Sequence, residues 1–270
     1  MKVGVQLGLT SVDEITDYCR DVNVDEIVLS ISAVPGFSEK DISSDGIKAF
    51  IDDIAEKGIL VSGMIPPNPS KEAILGSSQD EFAYLCKILR SIGEAGIKTV
   101  LFYPFDRFKN YLAEYHHEKP PLEIMPDDER WGLIIKFFRL ISDIAEESDL
   151  KIASHVFAVD IMRQILEEVK SPNLGVTYCT GMYIFGSDPY AGIDIYGMDR
   201  IFLCHARNLI RHGPGRKGHE EVPLDCGDID MARHIRNLTK AGYNGLIIPE
   251  HWGKGGNVVD SVAYLKKLID

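Results

Sequence analysis

Two periodicities share this chain. Eight short runs rich in β-branched and aromatic residues recur along it: Lys2–Gln6, Glu26–Ile31, Ile59–Met64, Lys98–Pro104, Lys151–His155, Leu174–Cys179, Arg200–His205 and Gly245–Glu250. Runs of that length and composition read as strands. Between them the apolar residues fall at helical spacing. In Asp41–Lys57, for example, Ile47, Phe50, Ile51 and Ile54 share one face and Gly58 closes the helix. Ser11, with Glu14 three residues later, predicts a capping box that opens a helix through Arg20. Further helices are predicted over Ser78–Ala95, Asp128–Ser148, Asp160–Val169, Asp228–Ala241 and Val258–Ile269. Phe105–Pro126 is polar and aromatic, with Tyr111, Tyr115, His116 and His117. It is too long for an ordinary βα connection and reads as a cover over an active site.

Strands that alternate with helices imply a parallel sheet, and eight such units predict closure into a (β/α)8 TIM barrel, one domain over residues 1–270. A doubly wound sheet is the alternative, but no glycine-rich dinucleotide fingerprint follows the first strand. A hydrophobic content of 45% and a charged content of 26% suit a soluble globular domain. The net charge of −12 argues against a nucleic-acid partner and leaves an anionic small substrate open, since a pocket's local charge governs that. No apolar run nears the ~20 residues that span a bilayer. The opening MKVGVQLG enters a strand without the apolar core of a signal peptide, and the five scattered cysteines suit a reducing compartment. A cytoplasmic protein without a membrane partner is the expectation.

The last residues of strands five to eight change the picture. They are His155, Cys179, His205 and Glu250, separated by 24, 26 and 45 residues, or about one or two βα units each. A barrel brings such ends to one rim, where imidazole, thiolate and carboxylate groups around an open position suit a divalent metal. Taken singly, each histidine reads as a structural residue and Cys179 as a small buried hydrophobe. Together they read as a metal site. Arg207, two residues beyond His205, shares its face and is a candidate to grip a substrate carboxylate, with a structural salt bridge as the alternative. Asp228 reads as the N-cap of the next helix. His251 faces away from Glu250 in an ideal strand. It reaches the pocket only if the strand has ended, or else it orients a ligand from behind. Tyr183 reads as either a substrate contact or packing. Arg211, His212, Arg216 and Lys217 form a basic loop that either attracts an anion or is simply solvated.

The runs Tyr178-Cys179-Thr180-Gly181, Cys204-His205-Ala206-Arg207-Asn208, Gly218-His219-Glu220, Gly227-Asp228-Ile229-Asp230-Met231 and Pro249-Glu250-His251 stand in fixed order. In order and spacing they resemble the mannonate dehydratase family. The resemblance covers residues 95–104 and 150–253. It implies a xylose isomerase-like barrel with Mn²⁺, or Fe²⁺, Co²⁺ or Zn²⁺, held by His155, Cys179, His205 and Glu250, where Glu250 replaces the family's aspartate. It also implies loss of water from a sugar acid to give a 2-keto-3-deoxy product. His219, Asp230, Arg207 and His251 are then the acid–base and charge-handling candidates, and Arg207, Asn208 and Tyr183 the substrate contacts. A homodimer is the expectation from similar barrels. The chain departs from the pattern after His155, at Met182 and at Trp252, which puts remodelled loops around a retained metal site. A metal-dependent sugar isomerase or epimerase is the alternative reading, disfavoured by Cys179 where those enzymes usually carry a carboxylate. A barrel that binds without catalysis is a third.

Overall fold

The computed structural model describes residues 1–38, 41–105, 128–156, 159–183, 188–213 and 219–270. Strand one is split at Gly4 into β1 (Lys2–Val3) and β2 (Val5–Leu7). The other barrel strands are β3 (Glu26–Ser30), β4 (Leu60–Ile65), β5 (Thr99–Phe102), β6 (Lys151–Ser154), β7 (Leu174–Cys179), β8 (Ile201–Ala206) and β11 (Leu246–Pro249). They form one parallel sheet in the order β1-β11-β8-β7-β6-β5-β4-β3-β2. The two ends of that order are the two halves of strand one, so the chain itself joins the sheet's edges. The Gly4 amide donates to the Ile247 carbonyl at 3.0 Å on one side. A Cβ on Gly4 would lie 2.5 Å from the Glu26 carbonyl oxygen on the other. Only glycine fits where two neighbours press on one backbone. All eight predicted strands are present, each within a residue or two of its expected bounds.

Helices α1 (Val12–Val22), α2 (Ser44–Glu56), α4 (Gln79–Glu94), α5 (Asp128–Glu147), α6 (Val159–Val169), α9 (Met231–Lys240) and α10 (Val258–Ile269) cover the outside, with short α3 (Lys71–Ile74), α7 (Thr180–Tyr183) and α8 (Gly192–Tyr196) between them. Ser11 caps α1 as expected, its Oγ accepting from the Glu14 amide. Alternation along the strands divides the buried residues into two sets. Ile27, Leu29, Val100, Phe102, Ile152, Val176 and Tyr178 face the helices as part of the main core. Val28, Leu101, Ala153, Leu203, Leu246 and Ile248 form a separate cluster inside the barrel. This inner layer is the floor on which the site rests.

The sequence reading did not include the hairpin β9 (Asn208–Arg211) and β10 (His219–Val222), an antiparallel pair directly after β8. Asp228 does not cap α9, as expected of it. The cap lies two residues later, at Asp230, which accepts from the Arg233 amide at 2.8 Å. Asp228 Oδ2 accepts instead from the Arg211 amide at 2.8 Å. The expected cover (residues 106–126), Arg216, Lys217 and the Tyr183 side chain lie outside the described residues.

Candidate metal centre

Register builds the site. Cys179 on β7 pairs with His205 on β8, and His205 pairs with Ile248 on β11. Glu250 therefore emerges one inward step above Ile248, its amide held by the Ala206 carbonyl at 2.9 Å. His155 follows Ser154 at the end of β6, its amide held by the Phe102 carbonyl at 2.7 Å. Leu203, Ile248 and Ala153 lie in the inner layer. The residues two beyond them, His205, Glu250 and His155, share that face by alternation. All four predicted ligands are thereby brought together, with one donor atom from each lying within 4.8 Å of the others.

The spacing fits a shared cation. Glu250 Oε2 is 3.3 Å from His205 Nδ1, 3.7 Å from His155 Nε2 and 3.4 Å from Cys179 Sγ. Ligand bonds of about 2.0–2.3 Å leave neighbouring donors roughly 3.3–3.7 Å apart around a tetrahedral ion. His205 is fully buried, and its Nε2 has no hydrogen-bond partner among the described residues.

The electrostatics point the same way. Burial alone would raise the Glu250 carboxyl, but His205 and His155 outweigh it and hold it well below the ordinary carboxylate range. Burial, opposed by Glu250, pushes the His155 imidazole down. Burial, reinforced by Glu250, pushes the Cys179 thiol well above its ordinary value. Without an ion the site is thus one carboxylate that accepts from a neutral thiol beside a neutral imidazole. A divalent cation would convert the thiol to the thiolate.

Arg207 is 4% exposed and lies near this cluster, but its guanidinium is occupied. Glu221 on β10 accepts from Nε at 3.0 and 3.1 Å and from Nη2 as well. Burial opposes the arginine's charge, and the Glu221 hydrogen bonds overcome this and hold the group protonated. The salt-bridge alternative is therefore what the structure displays, with Nε and Nη2 of Arg207 held by Glu221. Thr180 and Gly181 fix its course. Thr180 Oγ1 donates to the Arg207 carbonyl at 2.7 Å and accepts from its amide at 3.0 Å. A Cβ on Gly181 would lie 2.4 Å from Arg207 Cδ. The Cys-Thr-Gly run thus supplies three separate things: a candidate ligand, a backbone clasp and a gap for the arginine stem.

Asn208 is also corrected. Its amide is used up on the main chain, donating to Leu224 and Ile229 carbonyls at 2.7 and 2.9 Å and accepting from the Leu209 and Ile229 amides at 3.0 Å. It pins the 224–229 loop and has no donor left for substrate. Asp230 is exposed, caps α9 and lies 3.8 Å from Arg236, contacts that it does not share with the cluster. His219 sits on the hairpin with Nε2 3.9 Å from Glu221. His251 comes closer to the cluster. β11 has ended at Pro249, His251 adopts φ +52°, and its Nε2 lies 3.7 Å from Glu250 Oε1 with the side chain 54% exposed. A left-handed non-glycine residue at a mouth is strained backbone of the kind found at functional sites. Glu221, absent from the sequence reading, would have required the hairpin to be seen first.

The chain matches the xylose isomerase-like TIM barrel over residues 17–268. It belongs to that family. Among curated members, mannonate dehydratase from Enterococcus faecalis is 30% identical over 137 residues, half of this chain and 33% of that protein. The chain thus covers about a third of that relative's length. Among solved members, mannonate dehydratase from Streptococcus suis superposes with a TM-score of 0.76 at 17% identity, over 100% of this chain and 92% of that one. The 3-keto-D-glucoside 4-epimerase from E. coli superposes with a TM-score of 0.68 at 14% identity, over 99% of both chains. The fold is thus shared with a solved dehydratase and a solved epimerase. No helix among the described residues is long and apolar enough to cross a membrane.

Proposed function

We propose that this chain is a metal-dependent dehydratase that removes water from a sugar acid of the mannonate kind. One observation supports it above the rest: imidazole, thiol, imidazole and carboxylate donors converge at the mouth of the barrel at ligand spacing. The similarity to mannonate dehydratases over half the chain supports this reaction type. His155, Cys179, His205 and Glu250 would hold the ion, Mn²⁺ first among divalent cations. When bound, such an ion supplies Lewis acidity for the negative charge that develops as the C2 proton and the C3 hydroxide depart.

The chain's own residues supply the rest. His251, exposed and beside Glu250, is placed to carry a proton at Nε2 between substrate and solvent. His219 is the second acid–base candidate. Arg207, neutralised by Glu221, holds positive charge near Cys179 and so favours its thiolate. The substrate loses one hydrogen from C2 and one hydroxyl from C3 as water, and the enol that remains tautomerises to the 2-keto-3-deoxy acid.

Sugar isomerisation or epimerisation is the second reading. It is favoured by one feature: Arg207, already paired with Glu221, leaves a neutral sugar as easy to accommodate as an acid. The test is elemental analysis, chelation and metal re-addition, followed by aldonate and ketose panels read by mass spectrometry. A product lighter by one water, formed only with metal restored, is the expected result. An isobaric product transfers the case to the second reading, and inactivity with every divalent ion sinks both.

A further inference from the structure

The ligands occupy strands five to eight, and the other half of the rim has its own chemistry. Gln6 on β2 pairs in register with Val28, which faces the inner layer, so Gln6 faces inward too. Tyr103, one residue beyond β5, packs on that same layer. Its ring centroid lies 5.0 Å from that of His155, and its hydroxyl donates to Gln6 Oε1 at 3.2 Å. Gln6 also lines a cavity of about 430 Å³ together with Glu250, His251 and Trp252. That volume is in the range of small-molecule sites. With Oε1 engaged by Tyr103, the group that Gln6 has to offer this cavity is its NH₂, a donor of two hydrogens.

We infer that Gln6 and Tyr103 form a substrate-binding subsite on the strand-one and strand-four flanks of the four candidate ligands, and that it receives the hydroxyl-bearing end of a polyhydroxy substrate. The inference rests on the proposed function only in taking the ligand cluster to be the reacting end. Three features carry it. The pair is neutral, and so suits alcohols better than a carboxylate. It is coupled to the site through Tyr103, whose ring meets that of His155 at a tilt of 50°. Its Gln6 lines one cavity with Glu250 and His251, the residues nearest the chemistry. Trp252 adds an aromatic face on which the C–H side of a sugar chain can lie.

The test is calorimetric titration of the full chain, with and without Mn²⁺, using D-mannonate and the neutral polyol xylitol as probes. Gln6→Ala and Tyr103→Phe are each expected to weaken both probes by roughly tenfold, the size of one hydrogen bond, with Mn²⁺ stoichiometry unchanged. Gln6→Glu keeps an acceptor for hydroxyls and is expected to bind mannonate no worse than Gln6→Ala does. Unaltered affinities in both loss variants overturn the subsite, as does a wild-type protein that binds neither probe. Selective loss of mannonate in Gln6→Glu assigns the pair to the carboxylate end and overturns the stated polarity. Probes that bind through Gln6 without turnover sink the dehydratase reading alone and leave the subsite standing.

Discussion

At the scale of single residues, Cys179 is the most informative of the candidate ligands. Burial and Glu250 keep the Cys179 thiol protonated well past neutrality in the metal-free site. An entering cation must therefore displace a proton, and affinity should rise about tenfold per pH unit near neutrality. Calorimetry in buffers of different ionisation enthalpy is expected to report about one proton released in the wild type and none in Cys179→Ser, which also binds far more weakly. Equal release from both would refute the thiolate. Gly181 gives a second residue-scale prediction. Because its missing Cβ is where the Arg207 stem runs, Gly181→Ala should overpack the site by about 1–3 kcal/mol in urea unfolding. The convergence of His155, Cys179, His205 and Glu250 was legible in the sequence because a strand end fixes both the place and the direction of a side chain. A polar residue inside a motif does not reveal whether it faces substrate or main chain: the Asn208 amide bonds the main chain, and Asp230 caps α9.

At the scale of elements, the hairpin of β9 and β10 carries the lesson. Barrel strands are buried on both faces and stand out as apolar runs. His219-Glu220-Glu221-Val222 has no such run, since this pair lies on the rim and is partly solvated. Its function is nevertheless clear in the coordinates, because it delivers Glu221 to a buried guanidinium. Removal of one partner from a buried pair costs far more than removal of both. Glu221→Ala is expected to lose about 2–3 kcal/mol, at the low end because Glu221 retains 26% side-chain exposure. Glu221→Leu combined with Arg207→Met should recover most of that loss. A double-mutant cycle with no coupling energy would show that the pair is ornamental. The helix start before α9 was misplaced for a related reason. Asp228 and Asp230 are both good capping residues two positions apart, and the Asn208 staple, invisible in sequence, decides between them.

At the scale of the whole molecule, the barrel separates its chemistry from its stability, and acid titration can tell them apart. His234 on α9 is fully buried against the outer face of β7, its ring edge-on to Tyr178 with centroids 5.1 Å apart. Neither of its ring nitrogens has a hydrogen-bond partner among the described residues. Burial lowers its pKa from 6.5 to about 4. The unfolded chain takes up a proton here near pH 6.5, while the folded protein resists until about 4. Between those values the unfolded state binds more protons, so stability falls as pH falls through this window and levels off below it. The loss is on the order of 3 kcal/mol. His155 is depressed in the same direction, so the comparison must be between metal-free wild type and metal-free His234→Phe, in which its contribution cancels. Chemical denaturation from pH 7 to 4 is expected to give a shallower decline for His234→Phe, with the gap opening in the variant's favour as the solution is acidified. Parallel curves would mean that water or a partner reaches His234 and that the α9 packing is looser than the coordinates display. Because this histidine stands on the helix side of β7 and Cys179 on the barrel side, His234→Phe should leave metal stoichiometry at neutral pH untouched.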